Sequence, residues 1–150
     1  PVAEVCVDPA HPSLAEPSAP VSELSSAAAG PAVQRAVDRP AITLDSGVTW
    51  ERLMFWGDED VEFMEAIYEP EGASGPEGEL VSHSGHEFGF ILSGTLRVVV
   101  GFDEFELGPG DSITFPSPTP HRLSNEGSES VRAVWVVRGR RGAPPGHDGS

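Results

Sequence analysis

The sequence predicts an all-β domain of about nine short strands, arranged as a closed barrel or a sandwich. One observation is the alternation of apolar and polar residues in short runs between Ile42 and Arg138, the period of a half-buried strand. The other is the regular punctuation of these runs by glycine and proline, which are typical of tight turns. Neither feature extends into the ends of the chain.

The strands are predicted in order from the alternation. A first strand begins at Ile42, and Val48 to Phe55 alternates Val48, Trp50 and Arg52 against the residues between them. An acidic turn at residues 57–60 precedes the next run, and a Gly, Pro and Glu loop covers Pro70 to Gly78. The remaining strands are predicted at Val61 to Tyr68, Glu87 to Leu92, Leu96 to Val100, Glu104 to Leu107, Ser112 to Phe115, His121 to Ser124 and Val131 to Val137.

The chain ends differ in composition from this core. Residues 1–40 are rich in Ala, Pro and Ser and contain few large apolar groups, so they bury too little surface to offset the entropy of ordering. We interpret them as a flexible linker or tail, residues 41–138 as the folded domain, and residues 139–150 as a disordered tail. Nothing in the first 40 residues predicts two helices joined by a turn.

Composition narrows the function classes. The 150 residues carry a formal charge of −15, from 24 acidic residues against nine basic ones, all arginine. Such a field repels phosphate backbones, so this chain by itself is not expected to bind nucleic acid. No membrane span or signal peptide is recognised, which predicts a cytoplasmic protein with no membrane partner. Cys6 is the only cysteine, so an intramolecular disulfide is excluded.

Two sets of spaced residues lie between Gly75 and Asn125. The first contains Gly75, His83, Glu87 and Gly94, and the second contains Gly110, Pro116, His121 and Asn125. These positions resemble the two motifs of the cupin superfamily, G-x5-H-x-H-x3-E-x6-G and G-x5-P-x-G-x2-H-x3-N, at seven of nine fixed positions. Val81 stands where the first histidine is expected, and Pro118 replaces the inner glycine.

The resemblance covers roughly Ile42 to Arg138 and implies a jelly-roll β-barrel that holds one metal ion. Residues 83–94, together with residues 110–112 and 120–122, look like the cupin half of bacterial regulators that carry an N-terminal helix-turn-helix. In such a regulator, residues 1–40 would be the tether to a DNA-binding domain.

Three side chains are the candidate metal ligands: His83, Glu87 and His121. On one straight strand His83 and Glu87 would be about 13 Å apart, so the Ser84-Gly85 pair must bend the chain between them. Two histidines and one carboxylate suit Fe(II), and equally Mn, Co, Ni or Zn. Because Val81 replaces a ligand, we expect weak binding. The alternative is a relic of a site, filled by hydrogen bonds.

Alternation also predicts the surroundings of the site. Gly89 and Ile91 share the face of Glu87, while His86, Phe88, Phe90 and Leu92 point to the opposite side. The predicted ligand pocket is lined by Met64, Tyr68, Gly89, Phe115, Leu123 and Trp135. The Asn125 side chain is expected to tie down a turn. Apolar residues on both faces of the strands predict a homodimer.

Two functions follow. The first is a small-molecule-binding module of a transcriptional regulator, with or without metal assistance. The second is a metal-dependent oxygenase or isomerase that acts on a small polar metabolite, which the facial triad favours. The sequence offers no dedicated acid, base or anion-holding group beyond the ligands, so the sensing interpretation is preferred. A bare structural barrel remains the third possibility.

Overall fold

A computed structural model describes residues 30–54 and 60–140. The chain divides into two units at residue 31, and the elements described here lie in the second, residues 32–150. A short 3-10 helix at Ala36–Asp38 precedes the strands. These are β1 (Ala41–Leu44), β2 (Val48–Arg52), β3 (Val61–Tyr68), β4 (His86–Ser93), β5 (Leu96–Val100), β6 (Asp103–Leu107), β7 (Ser112–Pro116), β8 (His121–Ser124) and β9 (Val131–Arg138).

The strands form two antiparallel sheets. The larger has the order β1-β2-β3-β9-β4-β7 and the smaller β6-β5-β8. Strand β9 is last in the chain but lies between β3 and β4, so the connections cross between neighbours as they do in jelly rolls. The predicted all-β jelly-roll fold is confirmed. In the described part of the chain no helix has the length and apolar character needed to cross a membrane.

Apart from the end of β2, the predicted strand ends agree with the structure to within one residue. Strand β2 ends at Arg52, whereas the sequence predicted a strand that continues to Phe55. Phe55 itself lies outside the described residues, and so does most of the acidic turn at 57–60. The tail predictions fall mainly on residues 1–29 and 141–150, which are also outside. Within the described part, Arg39 contacts the sheet through Glu51 and Glu65, at 3.2 and 3.0 Å.

The core lies between the two sheets because one face of each strand turns inward. In β9, buried residues alternate with exposed or half-buried ones, as predicted. In β4, Glu87, Gly89 and Ile91 are buried, again as predicted. The core is built from Val48, Ala66, Tyr68, Ile91, Leu96, Val98, Phe115, Leu123, Val131, Ala133, Trp135 and Val137.

The outer face of the larger sheet carries apolar residues in register. Phe63 of β3, Val136 of β9 and Phe88 of β4 form one row across three neighbouring strands. Phe88 and Phe90 are each more than two-fifths exposed. We call this surface, made of Phe63, Phe88, Phe90, Leu92, Val134 and Val136, the outer apolar face.

Candidate metal centre

The three predicted ligands meet inside the barrel from two sheets. Glu87 is the second residue of β4, His121 is the first of β8, and His83 lies in the loop before β4. One candidate ligand atom from each residue lies within 4.8 Å of the other two. The chain between His83 and Glu87 is bent at Gly85, whose φ of 106° is rarely adopted by other residues. A side chain there would clash with the carbonyl oxygen of Arg138.

One carboxylate oxygen faces both imidazoles. Glu87 Oε1 lies 2.7 Å from His83 Nε2 and 3.0 Å from His121 Nε2. The other oxygen, Oε2, accepts a 2.8 Å hydrogen bond from the indole Nε1 of Trp135. Trp135 therefore orients the carboxylate, leaving Oε1 for the histidines or for an ion.

The backbone sets the tautomer of both histidines. His83 Nδ1 is 2.9 Å from the Ser84 carbonyl oxygen, and His121 Nδ1 is 2.8 Å from that of Thr119. A carbonyl oxygen can only accept, so each Nδ1 must donate. Each Nε2 is then directed at the centre, where it can offer a lone pair to a metal ion once it carries no proton.

The electrostatics among the three side chains favour a Glu–His ion pair. Burial of the Glu87 carboxyl acts to raise its pKa, but hydrogen bonds from His121 and Trp135 and the histidine charges outweigh this and lower it. Burial of His121 acts to lower its pKa, but the bonds to Glu87 and the Thr119 carbonyl raise it overall, against a small opposing effect of Arg140. Burial, with the Glu87 charge, raises the pKa of the Tyr68 phenol.

The donor set fits a divalent ion. Ligand atoms about 2.1 Å from an ion, at angles of 90 to 110°, would be roughly 3.0 to 3.4 Å apart. The two Nε2–Oε1 distances, 2.7 and 3.0 Å, lie just below and at the lower limit of that range, and all three candidate ligand atoms lie within 4.8 Å of one another. Glu87 and His121 are almost wholly buried, which limits competition from water.

Val81 occupies the position of the absent fourth ligand. It forms an antiparallel bridge with His121, with backbone N–H···O bonds of 2.8 and 2.9 Å in the two directions. Directly bridged residues project from the same side of a sheet, so Val81 stands beside His121. His86 instead points outward, as predicted, and its Nε2 lies 3.1 Å from the Thr114 hydroxyl.

A cavity of about 180 Å³ opens above the three ligands. Four of the six predicted pocket residues line it: Met64, Tyr68, Leu123 and Trp135. The other two lie in the core without lining it. Phe115 packs against the His121 ring at a centroid distance of 4.9 Å, and the space over Gly89 is filled by the Trp135 indole.

Sequence reasoning missed several cavity residues. Glu62 and Trp50 carry a signal that was available, because alternation in their strands places each on the inward face. Arg140 also lines the cavity, although it falls in the segment predicted to be a disordered tail. No pattern in the sequence marks it. Asn125 has the predicted structural role: its amide donates to the carbonyl oxygens of Tyr68 and Glu129, at 3.0 and 2.7 Å.

Comparison with known proteins agrees with this architecture. Residues 64–137 match the family model described as Cupin_2, cupin domain, and this range includes all three candidate ligands. No curated protein sequence matches the chain.

Solved structures share the fold at low sequence identity. An RmlC-like cupin from Shewanella frigidimarina NCIMB 400 matches with a TM-score of 0.62 and 13% identity, over 75% of this chain and 94% of that one. The Cupin_2 domain of an XRE family transcriptional regulator from Enterobacter cloacae matches with a TM-score of 0.55 and 20% identity, over 63% of this chain and 99% of that one. The polyketide cyclase RemF from Streptomyces resistomycificus matches with a TM-score of 0.62 and 18% identity, over 79% of this chain and 89% of that one.

Proposed function

We propose that the chain is a metal-binding cupin domain that takes up a small-molecule ligand and serves as the sensing module of a transcriptional regulator. The match of residues 64–137 to the cupin family model supports the first part of this proposal. In this proposal His83, Glu87 and His121 hold one divalent ion, of Fe, Mn, Ni or Zn. The chain itself contacts no nucleic acid, because its charge of −15 repels phosphates.

One observation carries the proposal: three donor atoms converge at the floor of an internal cavity, with both imidazole Nδ1 atoms and the second carboxylate oxygen already bonded elsewhere. All three residues line that cavity. When bound, the ion would supply a positive charge and open coordination positions for an oxygen donor of the ligand. The protein would orient that ligand and exclude water.

The cavity walls favour sensing over catalysis. Apart from the three ligands, the described lining consists largely of apolar side chains with Tyr68, Glu62, Arg140 and two serines. The raised pKa of Tyr68 makes its phenol a poor proton donor or base near neutral pH. The similarity to the regulator domain from Enterobacter cloacae is in accord with sensing, as a likeness of fold.

A metal-dependent enzyme, an oxygenase or isomerase, is the second candidate. Its support is the same centre, because two histidines and one carboxylate leave positions open for substrate. Neighbours in fold include the polyketide cyclase RemF. Turnover of a bound small molecule would favour this alternative over sensing.

Metal titration by calorimetry tests the proposal, with Fe(II), Mn(II), Ni(II) and Zn(II) added to chelator-treated protein. We expect one ion per chain, with weak affinity because Val81 offers no donor. The His121→Ala variant should lose binding, whereas His86→Ala, on the outward side of β4, should bind as the wild type does. Absence of binding by all four ions would show that the centre is a relic held by hydrogen bonds.

A further inference from the structure

We propose that Arg140 determines the class of ligand that this cavity accepts: a small organic acid whose carboxylate pairs with the Arg140 guanidinium while another oxygen reaches the His83–Glu87–His121 centre. This inference rests on the proposed metal-dependent binding of a small molecule and adds the chemistry of that molecule. Arg140 and the three ligands line the same cavity.

The backbone that carries Arg140 is fixed beside the metal centre. Gly139 N donates a 2.7 Å hydrogen bond to the Asp60 carbonyl, and the Ser84 hydroxyl donates to the Gly139 carbonyl at 3.1 Å. Gly85 packs directly on the backbone from Arg138 to Arg140. The loop that positions His83 thus also holds the backbone of Arg140 in place.

Among the described residues, the Arg140 guanidinium is held by one loose ion pair. Its partner is Glu62, which also lines the cavity, with a separation of 3.7 Å between Arg140 Nη1 and Glu62 Oε2. That distance is too long for a hydrogen bond. Both side chains are about two-fifths exposed, at 40% and 44%, and exposed pairs of this kind contribute little to stability. A ligand carboxylate that accepts two short hydrogen bonds from the guanidinium would displace Glu62.

The charge balance calls for such a cation. The chain carries −15 overall, so an anion approaching it meets a repulsive field unless positive charge is concentrated locally. A divalent ion with the Glu87 carboxylate leaves a net charge of one positive at the floor of the cavity. Among the described lining residues other than histidine, Arg140 is the only cationic one. Two positive positions on the wall of one cavity match an acid with two oxygen groups.

The dimensions limit the ligand. The volume of about 180 Å³ is below the roughly 300 Å³ at which drug-sized pockets begin, so the ligand is small. The wall also offers apolar surface from Met64, Leu123 and Trp135. The nearby serine hydroxyls already have partners, because Ser82 Oγ donates to the Pro118 carbonyl and Ser74 Oγ accepts from Leu123 N. The middle of the ligand is therefore short and apolar.

The test measures binding of oxalate, malonate and succinate to the full chain loaded with Ni(II), by calorimetry and by thermal shift. Succinamide serves as the neutral analogue of succinate, and inorganic phosphate as an anion of different shape. The variants are Arg140→Gln and, as a control with the same change of charge, Arg138→Gln, whose residue is exposed at the end of β9. Titration of Ni(II) alone accompanies each variant.

We expect at least one dicarboxylate to bind, succinamide not to bind, and Arg140→Gln to lower the affinity by about tenfold or more, as loss of a charge-assisted pair does. Arg138→Gln should change it less than about twofold, and neither variant should change Ni(II) affinity. The proposal is overturned if no dicarboxylate binds, if phosphate binds in their place, or if the two variants behave alike. Failure of the wild type to bind Ni(II) would instead overturn the metal centre itself.

Discussion

At the scale of single residues, Trp135 connects packing to chemistry. Its indole lies on the bare backbone of Gly89, directly opposite in the sheet, where any side chain would clash with the ring. From that position Nε1 reaches Glu87 Oε2. Gly89 thus acts on the centre indirectly, by allowing the indole to hold the carboxylate in one orientation.

Substitution Trp135→Phe should weaken metal binding while preserving the fold. The smaller ring fills less of the space over Gly89. The hydrogen bond to Glu87 is lost, so we expect a loss of about tenfold in affinity for Zn(II) or Ni(II). Calorimetric titration measures it. Trp50→Phe is the control, since Trp50 lines the cavity without a hydrogen bond to Glu87. Equal effects of the two substitutions would show that cavity volume, not carboxylate orientation, matters.

The metal-free centre should make stability depend on pH in a defined direction. The lowered pKa of Glu87 contributes stability above the ordinary value of 4.5, and this is lost as pH falls through the lowered value. The raised pKa of His121 contributes stability below the ordinary value of 6.5, and this is lost as pH rises through the raised value. The combined contribution is therefore largest between 4.5 and 6.5.

Thermal unfolding of chelator-treated protein from about pH 6 to about pH 9 checks this, and the melting temperature should fall more steeply for wild type than for His121→Asn. His86→Asn, which alters a histidine outside the centre, should follow the wild type. Metal affinity should change in the opposite sense and rise with pH, because an ion displaces the proton from His121. Parallel profiles for wild type and His121→Asn would contradict the ion-pair assignment.

At the scale of elements, the centre depends on two strands that approach from different sheets. Strand β4 brings Glu87, and β8 brings His121, which is bridged to Val81 outside any named strand. The bend at Gly85 then returns His83 to the same point. The position of Val81 is thereby determined by backbone hydrogen bonds and does not depend on its side chain.

Substitution Val81→His should tighten metal binding by about tenfold or more, since a fourth donor joins a backbone position already held beside His121. Titration with Ni(II) or Zn(II) measures the change. Leu80→His is the control, because Leu80 is exposed. As the residue next to Val81, it should point its side chain away from the side on which Val81 and His121 lie. If both variants bind no more tightly than wild type, the side chain at position 81 does not reach the ion.

At the scale of the whole molecule, the larger sheet presents the outer apolar face to solvent. Its rows of Phe, Val and Leu cross three strands, and exposed apolar surface of this extent is typical of interfaces. The nearby Glu65 is buried and paired with Arg39 and Arg132, so its charge is already compensated. The surface is thus suited to contact with a second copy.

We expect a homodimer at micromolar concentration, formed through the outer apolar face. The Phe88→Arg, Phe90→Arg double substitution should produce monomers, because two charges would be buried in an apolar contact. Sedimentation velocity distinguishes the states. Phe102→Arg, in the exposed turn between β5 and β6, is the control and should remain dimeric. A monomeric wild type would show that this face has another partner or none.

Much of the fold and part of the site could be predicted from the sequence. The period of two in β4 and β9 reports directly which side chains face the core, because neighbouring residues of a strand point to opposite sides. The spacing of His83, Glu87 and His121, read with their resemblance to a known pattern, identified three side chains that the structure brings together. The turns at glycine and the turn-stabilising role of Asn125 could also be predicted, because both depend on the local backbone.

Only the tertiary structure decided the rest of the cavity. That Trp135 fills the space over Gly89 and bonds to Glu87 depends on the pairing of β4 with β9, which brings together two residues 48 positions apart. Arg140 lines the cavity because Gly139 is hydrogen-bonded to Asp60 and Ser84. No local sequence pattern predicts these contacts. Periodicity encodes which side of a strand a residue occupies, whereas the register between distant strands depends on packing of the whole chain. The full lining of the cavity, which depends on that register, therefore could not be predicted from the sequence alone.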